Sequence, residues 1–158
     1  MGHFGFSYIG LLWLILLWIP NSAWAKRKPE GYDPTDENKV LLILERAGQV
    51  LCTAAILLFT DYNPDSFAPW IAWFIASAAL MALYEVSWIR YFTSKRTVAD
   101  FYRPLLGIPA PGATLPVVAF LLLGIYGRVI WLISASVILG IGHIGIHLQH
   151  IRRLKTGN

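Results

Sequence analysis

Apolar residues run along this chain in five long blocks separated by short polar stretches, and within the blocks they do not alternate. Continuous apolar runs of this length mark helices that cross a bilayer, where each backbone N–H and C=O must be satisfied inside its own segment. Period-two alternation, the mark of a membrane β-barrel, is absent. The pattern predicts an all-α fold: a single-domain polytopic helical membrane bundle over residues 1–158, with spans at about 4–19, 39–59, 69–92, 113–126 and 129–150. Pro20 is expected to end the first span. The fourth span is short, reaching about 21 Å against roughly 30 Å of hydrocarbon. The Pro- and Gly-rich stretch before it, RPLLGIPAPGATLP, predicts irregular or broken helix, which survives at membrane depth only inside protein or against water. The alternative is a cytoplasmic loop followed by a short, tilted helix.

Charge orients the bundle. The first loop carries Lys26, Arg27, Lys28 and Lys39, and the third carries Lys95, Arg96 and Arg103, with Arg90 just before it. The tail carries Arg152, Arg153 and Lys155; the second loop has neither Lys nor Arg, and the fourth has Arg128 alone. Positive charge collects on the cytoplasmic side, so the N-terminus is expected outside and the C-terminus inside. Trp18, Trp24 and Trp88 are expected near the inner interface, and Trp70, Trp73 and Trp131 near the outer one. The string NSAWA before Lys26 resembles a signal-peptidase site, but no Lys or Arg precedes the apolar run and a basic cluster follows it. That order predicts a retained helix.

Composition removes several classes of function. With 56% apolar and 14% charged residues, against about a quarter charged in soluble domains, the chain is not an ordinary soluble protein. Its net charge of +4 lies at segment ends, not in a patch interleaved with stacking aromatics, so no nucleic-acid partner is expected. Cys52 is the single cysteine, which rules out an intramolecular disulfide and reads as a small core residue. No phosphate-binding glycine loop, CxxC pair or HExxH motif is present.

Candidate chemistry lies in polar stripes within the apolar runs. His143, His147 and His150 are offset by four and three residues, so they share a helical face with Ser136 and Gly140. Glu45, Gln49, Cys52 and Thr53 share a face of the second span, and Ser77, Met81, Glu85 and Trp88 one of the third. Glu45, Glu85 and His143 fall at a similar depth, roughly 10 Å below the inner end. Ionisable groups are costly in lipid, so the three stripes are expected to face one another as a polar layer of Glu45, Gln49, Glu85, His143 and His147. His150 is expected at the membrane edge beside Arg152 and Arg153.

The strings GFSYIG, LERAGQVL, LPVVAFLLLGIYG and GIGHIGIHL together resemble a group of small, uncharacterised multi-pass membrane proteins of Gram-positive bacteria. The resemblance spans most of the chain and implies a bacterial plasma-membrane location, but carries no mechanism. Isoprenylcysteine-type methyltransferases are similarly small, but their RHPxY signature is missing. Tyr102-Arg103-Pro104 lacks both its histidine and its spacing, so their cofactor is not carried over.

The leading functional expectation is a structural polar network or a partner-docking subunit. Proton-coupled transport of a small solute is an alternative, because buried Glu and His can titrate along a path. A membrane-embedded enzyme is another. A metal-binding protein is a third, with His143, His147, Glu45 and Glu85 as ligands to a divalent metal; otherwise no cofactor is expected. Expected partners are membrane lipids and either a second copy or another membrane subunit.

Overall fold

The computed structural model describes residues 2–64 and 70–156. In chain order its helices are α1 (Tyr8–Lys26), α2 (Lys39–Leu57), α3 (Ile71–Phe92), α4 (Val98–Phe101), α5 (Pro111–Tyr126) and α6 (Ile130–Thr156). Four of them, α1, α2, α3 and α6, are long and apolar enough to cross a membrane, and α5 is shorter at 16 residues. Among the described residues, extended pairing is confined to the isolated bridges Phe4–Phe59 and Leu105–Ile108. The fold is an all-helical bundle of the polytopic membrane kind.

The helices pack in a ring. α2 lies mainly on α6, α6 on α5 and α5 on α3, while α1 touches α2 and α3 more lightly. Lipid tails are as apolar as leucine, so close packing and small residues hold such a bundle, not transfer out of water. Buried side chains from every long helix meet in its centre, among them Leu14, Ile56, Tyr84, Phe120 and Leu132. At one end, α1 presses on α2 at Gly10, where an added Cβ would lie 2.0 Å from the Ile56 carbonyl oxygen.

Helix boundaries differ from the sequence expectation where local caps or tertiary partners take over. α1 begins at Tyr8, not Phe4, because the Ser7 side chain accepts from Gly10 N–H as an N-cap. Residues 2–7 instead run along the end of α2, through Gly5 N–H to Leu58 O (3.0 Å) and Ser7 N–H to Leu57 O (3.1 Å). This pairing also ends α2 at Leu57, short of the expected 59. α1 does not stop at Pro20 but continues to Lys26. The Leu17 carbonyl, next to the Leu16 carbonyl that Pro20 deprives of a helical donor, accepts from Asn21 Nδ2 (2.8 Å) and from Tyr84 Oη (3.2 Å), which braces the helix across the proline. α3 starts at Ile71, and Pro69 lies outside the described residues. α5 starts two residues before the expected 113, with Pro111 at its first position.

α5 turns into α6 through a Schellman closure: Val129 N–H bonds Gly124 O (3.0 Å) and Arg128 N–H bonds Ile125 O (3.1 Å), with Arg128 left-handed at φ 52°. α6 runs past the expected 150 to Thr156, with Arg153 and Lys155 in its last turn, where cations complement the helix dipole. The loops after α1 and α3 meet the C-terminal end of α6. The N-terminal strap, the turn at residues 60–62 and the α5–α6 turn meet at the opposite end.

Candidate functional site

The α2–α6 seam is the most extensive helix contact in the bundle, and glycines draw it close. A Cβ at Gly142 would lie 2.3 Å from Glu45 N, and one at Gly48 would lie 2.5 Å from Leu139 Cα. Only glycine permits this approach, and it brings Glu45 across from the residue next to Gly142. His143 Nδ1 lies 2.5 Å from Glu45 Oε1, with side chains 23% and 15% exposed. An ionised carboxylate only accepts, so Nδ1–H is the donor and Nε2 is left as the free nitrogen. Gln49 Nε2 makes a long 3.5 Å contact to the same Glu45 oxygen. One turn further, Cys52 Sγ and Ser136 Oγ are 3.9 Å apart, so the expected α2 and α6 stripes do face each other.

The histidine face continues toward the basic end of the bundle. The His147 ring sits 4.6 Å from that of His143 and packs near Phe101 and Tyr102. The expectation for His150 is corrected. It is buried, its Nε2 lies 3.0 Å from Glu37 Oε1, and it stacks between Tyr32 and Tyr102. The physical cause is the loop after α1, which folds back over α6. Asn38 N–H donates to Gln149 Oε1 (3.3 Å), while Gln149 Nε2 and Arg153 donate to Asp36 O. Burial, followed by the nearby Glu37 and Glu45 carboxylates, pushes the Tyr32 phenol up to about 12. Burial raises the Tyr102 phenol as well. Sequence reasoning missed Glu37, Tyr32 and Tyr102, since loop residues carry no periodicity that reports where the loop folds.

Glu85 is not part of this cluster. α5 lies between α3 and α6, so the α3 stripe meets other partners: Ser77 Oγ donates to Ala119 O (2.7 Å) and accepts from Trp13 Nε1 (3.2 Å). Among the described residues no hydrogen bond or ion pair links Glu85 to Glu45, His143 or His147, and its Oε1 is buried without a hydrogen-bond partner. The single layer of three facing stripes is therefore corrected to an α2–α6 seam with Glu85 apart. Trp88, expected at the inner interface, is instead 4% exposed within an aromatic cluster with Tyr84, Tyr91, Phe92 and Phe101. Trp24 stacks on Phe101 beside it. Arg128 lies over the Trp70 ring at 4.6 Å at the other end.

Beside the seam lies a cavity of about 760 Å³ bounded by α1, α2, α5 and α6. Its walls are mostly apolar, with Leu14, Leu17, Val117, Phe120 and Leu139 among them. His143, Gln49 and Asn21 supply polar atoms. Trp18, Val50 and Leu58 also line it and are 51%, 70% and 51% exposed, so it opens on the side of the bundle between α1 and α2. No protein-family model, curated protein or solved structure matches the chain. Among the described residues, no group of three His, Cys, Asp or Glu side chains is arranged to hold a metal ion.

Proposed function

We propose that this chain is a five-span membrane protein of the bacterial plasma membrane that admits an apolar or amphipathic molecule from the lipid into its side-opening cavity. The observation that carries this reading is the cavity itself. Its volume falls within the roughly 300–1,000 Å³ of small-molecule sites, and its apolar walls with a few convergent polar groups are the usual make-up of such a site. Its opening is flanked by the membrane-spanning helices α1 and α2, so a ligand would enter from lipid. The proposed orientation has the N-terminus outside and the C-terminus cytoplasmic. It is supported by the collection of Lys26, Lys28, Lys95, Arg96 and Arg153 at one end, against Arg128 at the other.

A second reading is a polar network that fixes the α2–α6 register and leaves the outer faces for a partner subunit. The glycine contacts and the Glu45–His143 bond favour it. One experiment separates the two. Native mass spectrometry of the full chain in mild detergent is expected to show a co-purifying small molecule, and Val117→Trp, which fills the cavity, is expected to lose it while the fold is kept. A bare chain under gentle extraction, or a ligand indifferent to Val117→Trp, would favour the network. Glu45→Gln should lower the melting temperature under either reading.

A further inference from the structure

We infer that the cavity selects a single-chain amphiphile with an uncharged hydroxyl head, held at His143 and Gln49. This inference rests on the ligand-binding reading above. His143 lines the cavity, its Nδ1 is committed to Glu45, and its Nε2 has no partner among the described residues. In the neutral ring, a proton on Nδ1 leaves Nε2 an acceptor, and it calls for a ligand O–H. Gln49 also lines the cavity, and its amide makes only the long contact to Glu45. An amide in an apolar span is costly unless something bonds it. The two side chains together offer an acceptor for a hydroxyl hydrogen and a donor for its oxygen.

Neither Lys nor Arg lines the cavity, and the formal negative charge nearest its polar end is the Glu45 carboxylate. A phosphate or carboxylate head would meet repulsion there and no counter-ion. A cationic head would compete with the close His143 contact for the same oxygen. His143 lies seven residues, about 10 Å, in from His150 along the apolar run of α6, a depth at which a charged head is expensive to place. At roughly 30 Å³ per water-sized group, the space holds about 25 such groups, enough for one chain and a small head. Isoprenoid or fatty alcohols and chain-bearing phenols or quinols share this chemistry.

The test uses the full chain in dodecyl maltoside at mildly alkaline pH, with bromine-tagged probes that quench tryptophan on contact. Trp18 lines the cavity, so the signal is the saturable quenching that Trp18→Phe removes. The probes are a long-chain alcohol, an alkylphenol, a fatty acid of the same length and a bromoalkane without a head. The alcohol or the alkylphenol is expected to saturate about tenfold tighter than the fatty acid and the bromoalkane, as one hydrogen bond allows. Which of the two binds tighter tells an alcohol source from a phenolic one. Gln49→Leu, at an exposed position outside the core, should erase most of that preference, and His143→Leu should do the same where it folds. Saturable binding that is equal for all four probes, or tightest for the fatty acid, overturns this inference and leaves the cavity reading standing. No saturable component with any probe overturns both.

Discussion

Gly142→Ala should be among the most damaging single-methyl changes in this chain. The added Cβ would lie 2.3 Å from Glu45 N, 2.6 Å from Leu41 O and 2.8 Å from Glu45 Cα. All three are backbone atoms of α2, so no rotamer change relieves the overlap, and α2 must retreat toward the ordinary contact distance of roughly 3.5–4 Å. Overpacking of this kind costs about 1–3 kcal/mol. The retreat also stretches the 2.5 Å His143–Glu45 contact, and a hydrogen bond to a charged group contributes about 1.5–3 kcal/mol. Alanine's better helix propensity returns about 1 kcal/mol. The net loss is about 1.5–5 kcal/mol, or roughly 3–20 °C in melting temperature at this chain length. The protein carries its own reporter, since Cys52 is its single cysteine and is only 1% exposed. A fluorogenic maleimide will read unfolding as Cys52 becomes reactive. Gly112→Ala is the control, because nothing lies within 4 Å of its added Cβ, and it should be neutral or slightly stabilising. Equal melting of the two variants, or a Gly142→Ala protein as stable as the wild type, would refute the close-contact account.

Four further outcomes are expected. In a Cys52→Ser background, an impermeant thiol reagent applied to intact cells should label His3→Cys, whose native side chain is 90% exposed, and spare Lys95→Cys and Lys155→Cys; labelling at 95 would reverse the orientation. Glu37→Gln should free the loop after α1 from His150, lowering stability by about 1–3 kcal/mol and speeding tryptic cleavage at Lys26–Lys28, while a loop no more cleavable than the wild type's would remove its anchoring role. Ala110→Gly should leave the melting temperature unchanged or raise it by an amount equivalent to up to about 1 kcal/mol, because Ala110 is held left-handed at φ 44°; a clear drop would show that the methyl's packing outweighs the backbone cost. The Thr97 backbone N–H and hydroxyl hold the Asp100 carboxyl below its usual range, so the capping box should be intact above about pH 4 and weaken as pH falls through that lower value. Amide exchange at Thr97 and Asp100 measured against pH will show whether it does.

The hydrophobic pattern by itself determined the all-α bundle and roughly where each long helix lies, because continuous apolar runs leave the backbone no other way to bond in lipid. It also marked the polar stripes of α2 and α6. The i, i+3, i+4 spacing of Glu45 and Gln49, and of Ser136, Gly140 and His143, is set within each helix and needs no knowledge of the rest. What it could not determine was which helix stands beside which. Glu85 satisfies the same stripe rule, but α5 lies between α3 and α6, and only that packing order separates Glu85 from the histidines. Pro20 has a local reason to end a helix, and a hydroxyl from α3 together with its neighbour Asn21 gives α1 the means to continue. His150 reads as an interfacial cation until the loop after α1 folds back and supplies Glu37, a contact 113 residues away in the chain. The cavity belongs wholly to the tertiary level. It is the space left where α1 presses on α2 at Gly10 and packs only lightly elsewhere, and such a gap is a property of how helices lean together, which no helix encodes alone.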